Sequence, residues 1–177
     1  MISVWVRFLL VAILLLSLQV WVFNSISIFR LATPYVYPVL LLFLPIETSR
    51  IQSTVWAFVI GMIVDALSLT PGLHASAFTL VGFLRYYFLQ PMLEEGRYQP
   101  QMPVVYGQLG WLAIALLIEV LLVHHLVLFV LDSGQYRDKL FLLQRFGLSL
   151  AYSFFVSLLV LFSHSIRLQP RSSIHDK

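Results

Sequence analysis

The sequence predicts an all-α integral membrane protein of about six transmembrane helices, and three observations carry that expectation. Only 11% of the 177 residues are charged, while 60% are hydrophobic and the mean hydropathy is +0.90. A soluble domain carries about 25% charged residues, so this chain cannot cover a globule with a solvated surface. Long, largely apolar runs occur from Phe8 to Phe23 and from Trp111 to Val123. A spanning helix needs roughly 20 such residues, because a bilayer requires every backbone N–H and C=O to be paired within its own segment. The runs do not alternate apolar with polar residues, which excludes the strands of a membrane barrel.

The first span is placed at Val4 to Phe23. It opens with Arg7 as a signal peptide would, but the residues after the apolar run, Ser17-Leu18-Gln19-Val20-Trp21, contain no small-x-small cleavage site. It is therefore expected to be retained. The second, Leu31 to Ile46, is short and holds Pro34, Pro38 and Pro45. Proline removes a helical hydrogen bond and bends the axis, which predicts a kinked or partly re-entrant element. The third runs from Ile51 to Leu69, and the tight turn Ser68-Leu69-Thr70-Pro71-Gly72 leads into the fourth, Leu73 to Leu89. So short a connection forces an antiparallel hairpin. A polar loop containing Pro91, Glu94, Glu95 and Arg97 precedes the fifth span, Leu109 to Leu131, and the loop from Asp132 to Lys139 precedes the sixth, Leu140 to Ile166. Residues 1–166 thus form one transmembrane domain, and 167–177 a short polar tail.

An even number of spans puts both termini on one side. Arg7, Arg50, Arg85, Arg97, Arg167, Arg171 and Lys177 then face that side, against Arg30, Arg137, Lys139 and Arg145 on the other. The positive-inside bias assigns both termini to the cytoplasm. Zero cysteines exclude disulfides, thiolate nucleophiles and Cys-ligated metals. The net charge of +3 is dispersed rather than clustered, so it sets topology and does not mark a nucleic-acid surface.

Ionisable groups at membrane depth cost at least about 2.5 kcal/mol each and are functional candidates by default. Asp65 lies four residues after Gly61 on one face of the third span, near the level of His74. Two readings stand for it: a hydrogen bond to His74 that locks the hairpin, or a contact with a partner or ligand. Glu119 sits mid-span in the fifth helix, and Arg145 enters the sixth from the facing end. An ion pair between them is one reading, a polar contact with a partner helix the next, and a proton or ion relay a third. His124 and His125 point about 100° apart on a helix. Neither stands three or four residues from Glu119, so the logic of a helical zinc site is missing and separate hydrogen bonds near the outer interface are expected. Arg85 with Tyr86 and Tyr87 reads as an interfacial anchor. No phosphate-binding glycine loop, nucleophile elbow or metal constellation is present in the sequence, so no catalytic residue, cofactor or metal is assigned.

The first span ending in Leu18-Gln19, the proline-bearing second span, and the stretch from Gly61 through Asp65 to Thr70-Pro71-Gly72-Leu73-His74-Ala75 together resemble the rod shape-determining membrane protein MreD family, in its Bacteroidota-like version. Gly61, Asp65 and Gly72 stand where that family has a glycine-rich helix ending in an aspartate and then a turn glycine. The specific motif covers only Gly61 to Ala75, although the general likeness extends over most of the chain. The resemblance implies a non-enzymatic component of the bacterial inner membrane that binds an MreC-type protein. Through it, such a component links MreB filaments to a SEDS glycan polymerase and a class B penicillin-binding transpeptidase. It also implies a six-helix fold like that of the substrate-binding subunits of energy-coupling-factor transporters. A vitamin-type carrier is therefore the rival function, and it would need a convergent polar pocket. Gly61, Asp65, Gly72, His74, Glu119 and Arg145 are the candidate structural or partner-contact residues.

Overall fold

The computed structural model describes residues 4–25, 32–93, 102–104, 110–135 and 138–168. Among them the architecture is entirely helical. Helix α1 (Val4–Leu18) continues into a π turn at Gln19–Phe23; a 3₁₀ turn at Tyr37–Val39 feeds the single helical turn α2 (Leu40–Phe43). The long helices α3 (Arg50–Ser68), α4 (Leu73–Leu93), α5 (Trp111–Asp132) and α6 (Lys139–Leu168) follow. Four segments are long and apolar enough to cross a membrane: Val4–Phe23, Arg50–Ser68, Trp111–Asp132 and Lys139–Ser163. Helix α4 matches them at 21 residues, about 30 Å, but carries His74, Arg85, Tyr86, Tyr87 and Gln90 along its length.

The surface is inverted relative to a soluble protein. Leu10, Ile13 and Leu14 on α1, Val55 and Met62 on α3, Leu122 and Leu126 on α5, and Phe155 and Leu159 on α6 are all exposed. Apolar faces this extensive are stable only against lipid or another protein. The interior instead holds polar groups: Gln19, Asp65, His74, Arg85, His124, His125, Ser149, Ser153 and Ser157 are buried.

The second predicted span is corrected by the structure. From Ala32 to Val36 the chain is non-helical, only Tyr37 to Phe43 coils, and Leu44 returns to extended backbone. Every residue from Val36 to Leu44 is buried. Pro34, Pro38 and Pro45 explain the break, since three positions within twelve residues lack the N–H that a continuous helix uses. Non-helical backbone is tolerated at membrane depth only inside protein, and here it runs through the centre of the bundle. Its C-terminal end is held by residues 102–104, where Ile46 N–H donates to the Met102 carbonyl (3.0 Å) and Val104 N–H to the Leu42 carbonyl (2.9 Å).

The α3–α4 hairpin forms as expected. Ser49 and Gln52 make a reciprocal capping box at the start of α3. Leu69 ends that helix in the left-handed conformation (φ 57°), and Gly72 (φ 80°) takes a backbone geometry that suits glycine. Gly61 and Gly82 bring the two axes together. A Cβ at Gly61 would lie 2.6 Å from the Ala75 Cα, and one at Gly82 would lie 2.5 Å from the Ala57 Cβ. The helices touch backbone to backbone at both crossings.

Trp5 stacks on Trp56 at 6.1 Å, so the starts of α1 and α3 share one end of the bundle; Asn24 donates to Ser68 Oγ (2.9 Å) at the other. Arg7 and Arg50 stand at the first end, Lys139 and Arg145 at the second. We expect a reporter active only in the periplasm to be silent when fused after Lys177 and active when inserted near Gly134. The opposite pattern would invert the orientation, and a single active terminus would mean an odd number of crossings.

Candidate functional site

Two buried charges organise the interior, and each is neutralised by the end of a helix rather than by an opposite charge. Asp65 is 4% exposed. Its Oδ1 accepts the His74 N–H (3.0 Å) and the Thr70 hydroxyl, and its Oδ2 accepts the Ala75 N–H (2.8 Å). Helix α4 begins at Leu73 after Gly72, which has no side chain to cap it. Asp65 therefore supplies from α3 the acceptor that an N-cap residue ordinarily provides to the second and third helical N–H groups. A carboxylate there also meets the positive end of the α4 dipole. The hairpin-locking reading is right in outcome, but the bond goes to the His74 backbone and leaves the imidazole for another task.

Arg85 is 1% exposed, so it is not an interfacial anchor. Its Nε donates to the Leu41 carbonyl (2.8 Å), and its Nη2 to the Leu44 and Pro45 carbonyls (3.0 and 3.1 Å). Leu41 and Leu44 stand at the C-terminal end of α2, whose last carbonyls lack helical donors, and Pro45 just beyond shares its carbonyl with the Thr48 N–H (3.0 Å). The prolines break α2, and Arg85 satisfies the break.

The imidazole of His74 faces a polar aromatic cluster. The Tyr37 hydroxyl lies 3.0 Å from His74 Nδ1 and also bonds His124 Nε2. One hydroxyl has one proton to give. It donates to one imidazole and accepts from the other, so the tautomers of His74 and His124 are coupled. On the other side the arrangement is fixed. His125 Nδ1–H must donate to the Leu121 carbonyl (2.8 Å), leaving Nε2 to accept from Ser153 Oγ–H (3.0 Å), whose oxygen accepts the Tyr35 N–H (2.8 Å). Thr33 N–H reaches Ser149 Oγ (3.1 Å) in the same manner. The π turn at Gln19 projects a side chain that takes the Val36 N–H on Oε1 (2.8 Å) and donates to the Pro34 carbonyl (3.0 Å). Side chains of the π turn after α1, of α4 and of α6 thus replace the hydrogen bonds that a helix would have given the broken segment.

His124 and His125 make separate hydrogen bonds, as expected, and both are wholly buried within the protein. Among the described residues no group of three or more His, Asp or Glu is arranged to hold a metal. Tyr35, Tyr37, His74, His124, His125 and Ser153 gather in one place, a convergence that their positions along the sequence do not suggest. The Glu119–Arg145 ion pair is corrected. Arg145 pairs with Asp132 (3.7 Å) and lies 5.9 Å from the Phe129 ring centroid. Glu119 Oε2 is buried without a hydrogen-bond partner. Thirteen residues separate Glu119 from Asp132 on α5, nearly four turns, so one arginine cannot serve both.

Sequence reasoning missed Gln19, Tyr35, Tyr37, Ser149 and Ser153. The signal for the serines was present: Arg145, Ser149, Ser153 and Ser157 recur every four residues and so share one face of α6. No family model matches the chain, and no curated protein or solved structure is significantly similar to it.

Proposed function

We propose that this chain is a non-enzymatic scaffold of the bacterial cell-elongation machinery, holding an MreC-type protein and, through it, MreB filaments and the peptidoglycan synthases. The observation that supports the reading most is the Gly61–Asp65–Gly72–His74 hairpin. Gly61, Asp65 and Gly72, the three residues at the MreD family's signature positions, are joined with His74 in one structural unit, with Gly61 against Ala75 and Asp65 capping the same turn. A rigid hairpin with an apolar outer surface suits recognition by other transmembrane helices.

One feature speaks for the rival reading, a substrate-binding subunit of a small-molecule transporter. Broken helices lined with polar groups build transporter sites, and residues 32–43 form such an element. In this protein, however, the cluster's groups are largely spent on one another: Tyr37 on two histidines, Ser153 on Tyr35 and His125.

Depletion separates the two. A rod-shaped host losing the scaffold is expected to round and widen before growth stops, with vitamin uptake unchanged. Gly61→Leu is expected to reproduce the rounding while the protein still reaches the membrane, because its side chain collides with the Ala75 backbone. Rods that keep their shape after verified depletion, or rounding cured by an added vitamin, would transfer the assignment to transport.

A further inference from the structure

Glu119 stands in the middle of α5, eight residues after Trp111 and thirteen before Asp132. The face around it is apolar and open: Ile118, Leu122, Leu126 and Val130 are 48%, 44%, 53% and 61% exposed. In a bilayer this face meets hydrocarbon. One carboxylate is placed there with an oxygen that neither solvent nor any donor among the described residues reaches. Every other buried carboxylate or guanidinium described above has been given partners, and the cation that sequence spacing offers to Glu119 is engaged by Asp132. An ionisable group held unpaired at mid-depth is unfavourable for the isolated chain, so its partner is to be sought outside.

We propose that the Glu119 face of α5 is the docking surface for one transmembrane helix of a separate protein, carrying a basic side chain at mid-bilayer depth. The charge of the carboxylate calls for a cation, and a lipid chain has no donor to offer. A second copy of this chain is a poor occupant. Its described basic residues are Arg7 and Arg50 at one end with Arg167 in the last turn of α6, Lys139 and Arg145 at the other, and the buried Arg85, so that none stands at the depth of Glu119 on an exposed face. Symmetric copies would also set Glu119 near Glu119. The neighbouring surface suits a helix. Between α5 and α6 runs a groove lined by Ile118, Leu122, Gly147, Ala151 and Phe154. Gly147 and Ala151 are one turn apart, and a Cβ at Gly147 would meet nothing within 4 Å. At the α3–α4 crossing comparable small residues are filled by a helix, whereas this groove is empty within the chain. Leu122 lies one turn from both Ile118 and Glu119, so a helix seated along the groove has the carboxylate at its edge.

This inference rests on the scaffold reading for its biological meaning but not for its test. The full-length chain is reconstituted in phosphatidylcholine vesicles at neutral pH with a Leu/Ala transmembrane peptide bearing one central Lys, or with the same peptide bearing Leu there. Energy transfer between labels reports association. The Lys peptide is expected to associate about tenfold more tightly than the Leu peptide, within the range of interhelical polar contacts. The preference should fall with Glu119→Gln, vanish with Glu119→Leu, and persist in Asp132→Asn. Unchanged helical circular dichroism of the Glu119→Gln protein guards against a folding artefact. Equal association of both peptides with the wild-type chain overturns the proposal. Glu119-dependent self-association without peptide overturns it in favour of a second copy. A Lys preference found in a protein whose depletion leaves rods unchanged would keep the docking face and discard the scaffold role.

Discussion

Asp65→Leu is expected to abolish rescue of rod shape in a depleted host, at a protein level equal to wild type. The substitution removes the acceptor of three donors at once, the His74 and Ala75 N–H groups and the Thr70 hydroxyl. Each buried donor left unpaired costs about 1–3 kcal/mol; the His74 and Ala75 N–H groups are buried and Gly72 has no side chain to replace the carboxylate, whereas the Thr70 hydroxyl is only half-buried. The start of α4 then loses its cap, and His74 loses the position from which it meets Tyr37. Asp65→Asn is expected to be milder but impaired. Its carbonyl oxygen can still accept from one side, whereas its amide nitrogen would face an N–H where an acceptor is required. Rescue by Asp65→Leu at normal abundance would show that the capped hairpin is dispensable.

Arg85→Met is expected to be the most destabilising change in the chain. It removes a buried charge, which by itself would favour the protein, but leaves the Leu41 and Leu44 carbonyls without donors and the Pro45 carbonyl with the Thr48 N–H alone. Two orphaned acceptors at about 1–3 kcal/mol each, with a third losing one of its two donors, outweigh the relief for a guanidinium already well solvated by those carbonyls. Thermal denaturation in detergent should show a fall of several degrees or failure to recover folded protein, with Arg85→Lys intermediate because an ammonium group cannot reproduce the fork. A Met variant that melts with wild type would mean that α2 finds other donors.

The long helices were legible because apolar runs of membrane length admit few alternatives; Val4–Phe23 and the α3–α4 hairpin agree with the sequence reading to within a residue or two at their shared ends. The hairpin lock was legible too, since Asp65 and His74 flank a turn too short to separate them. The central cluster was not. Tyr35 and Tyr37 sit between prolines in a segment whose backbone direction no periodicity specifies, and their partners lie on helices far along the chain. Arg85 was misread because the two tyrosines after it do resemble an interfacial belt; its place thirteen residues into a 21-residue helix was the stronger signal. The Glu119–Arg145 expectation failed for lack of reach, which only the level of each residue along α5 and α6 reveals.

The broken segment also constrains how the protein is made. Thr33 and Tyr35 owe their backbone hydrogen bonds to Ser149 and Ser153, separated from them by 116 and 118 positions. Synthesis proceeds from the N-terminus at about 5–20 residues per second, so residues 32–36 emerge well before the serines that will satisfy them. Until α6 arrives, those N–H groups must remain in contact with water, with the insertion machinery or with a chaperone, since lipid offers them nothing. The N-terminal half is therefore unable to mature as an independent unit, and the last helix closes the bundle by bringing its hydroxyls onto a non-helical segment made long before. A ribosome arrested before Ser149 should hold a nascent chain whose residues 32–36 remain open to water-soluble thiol reagents when cysteines are placed there, and release of the full chain should protect them.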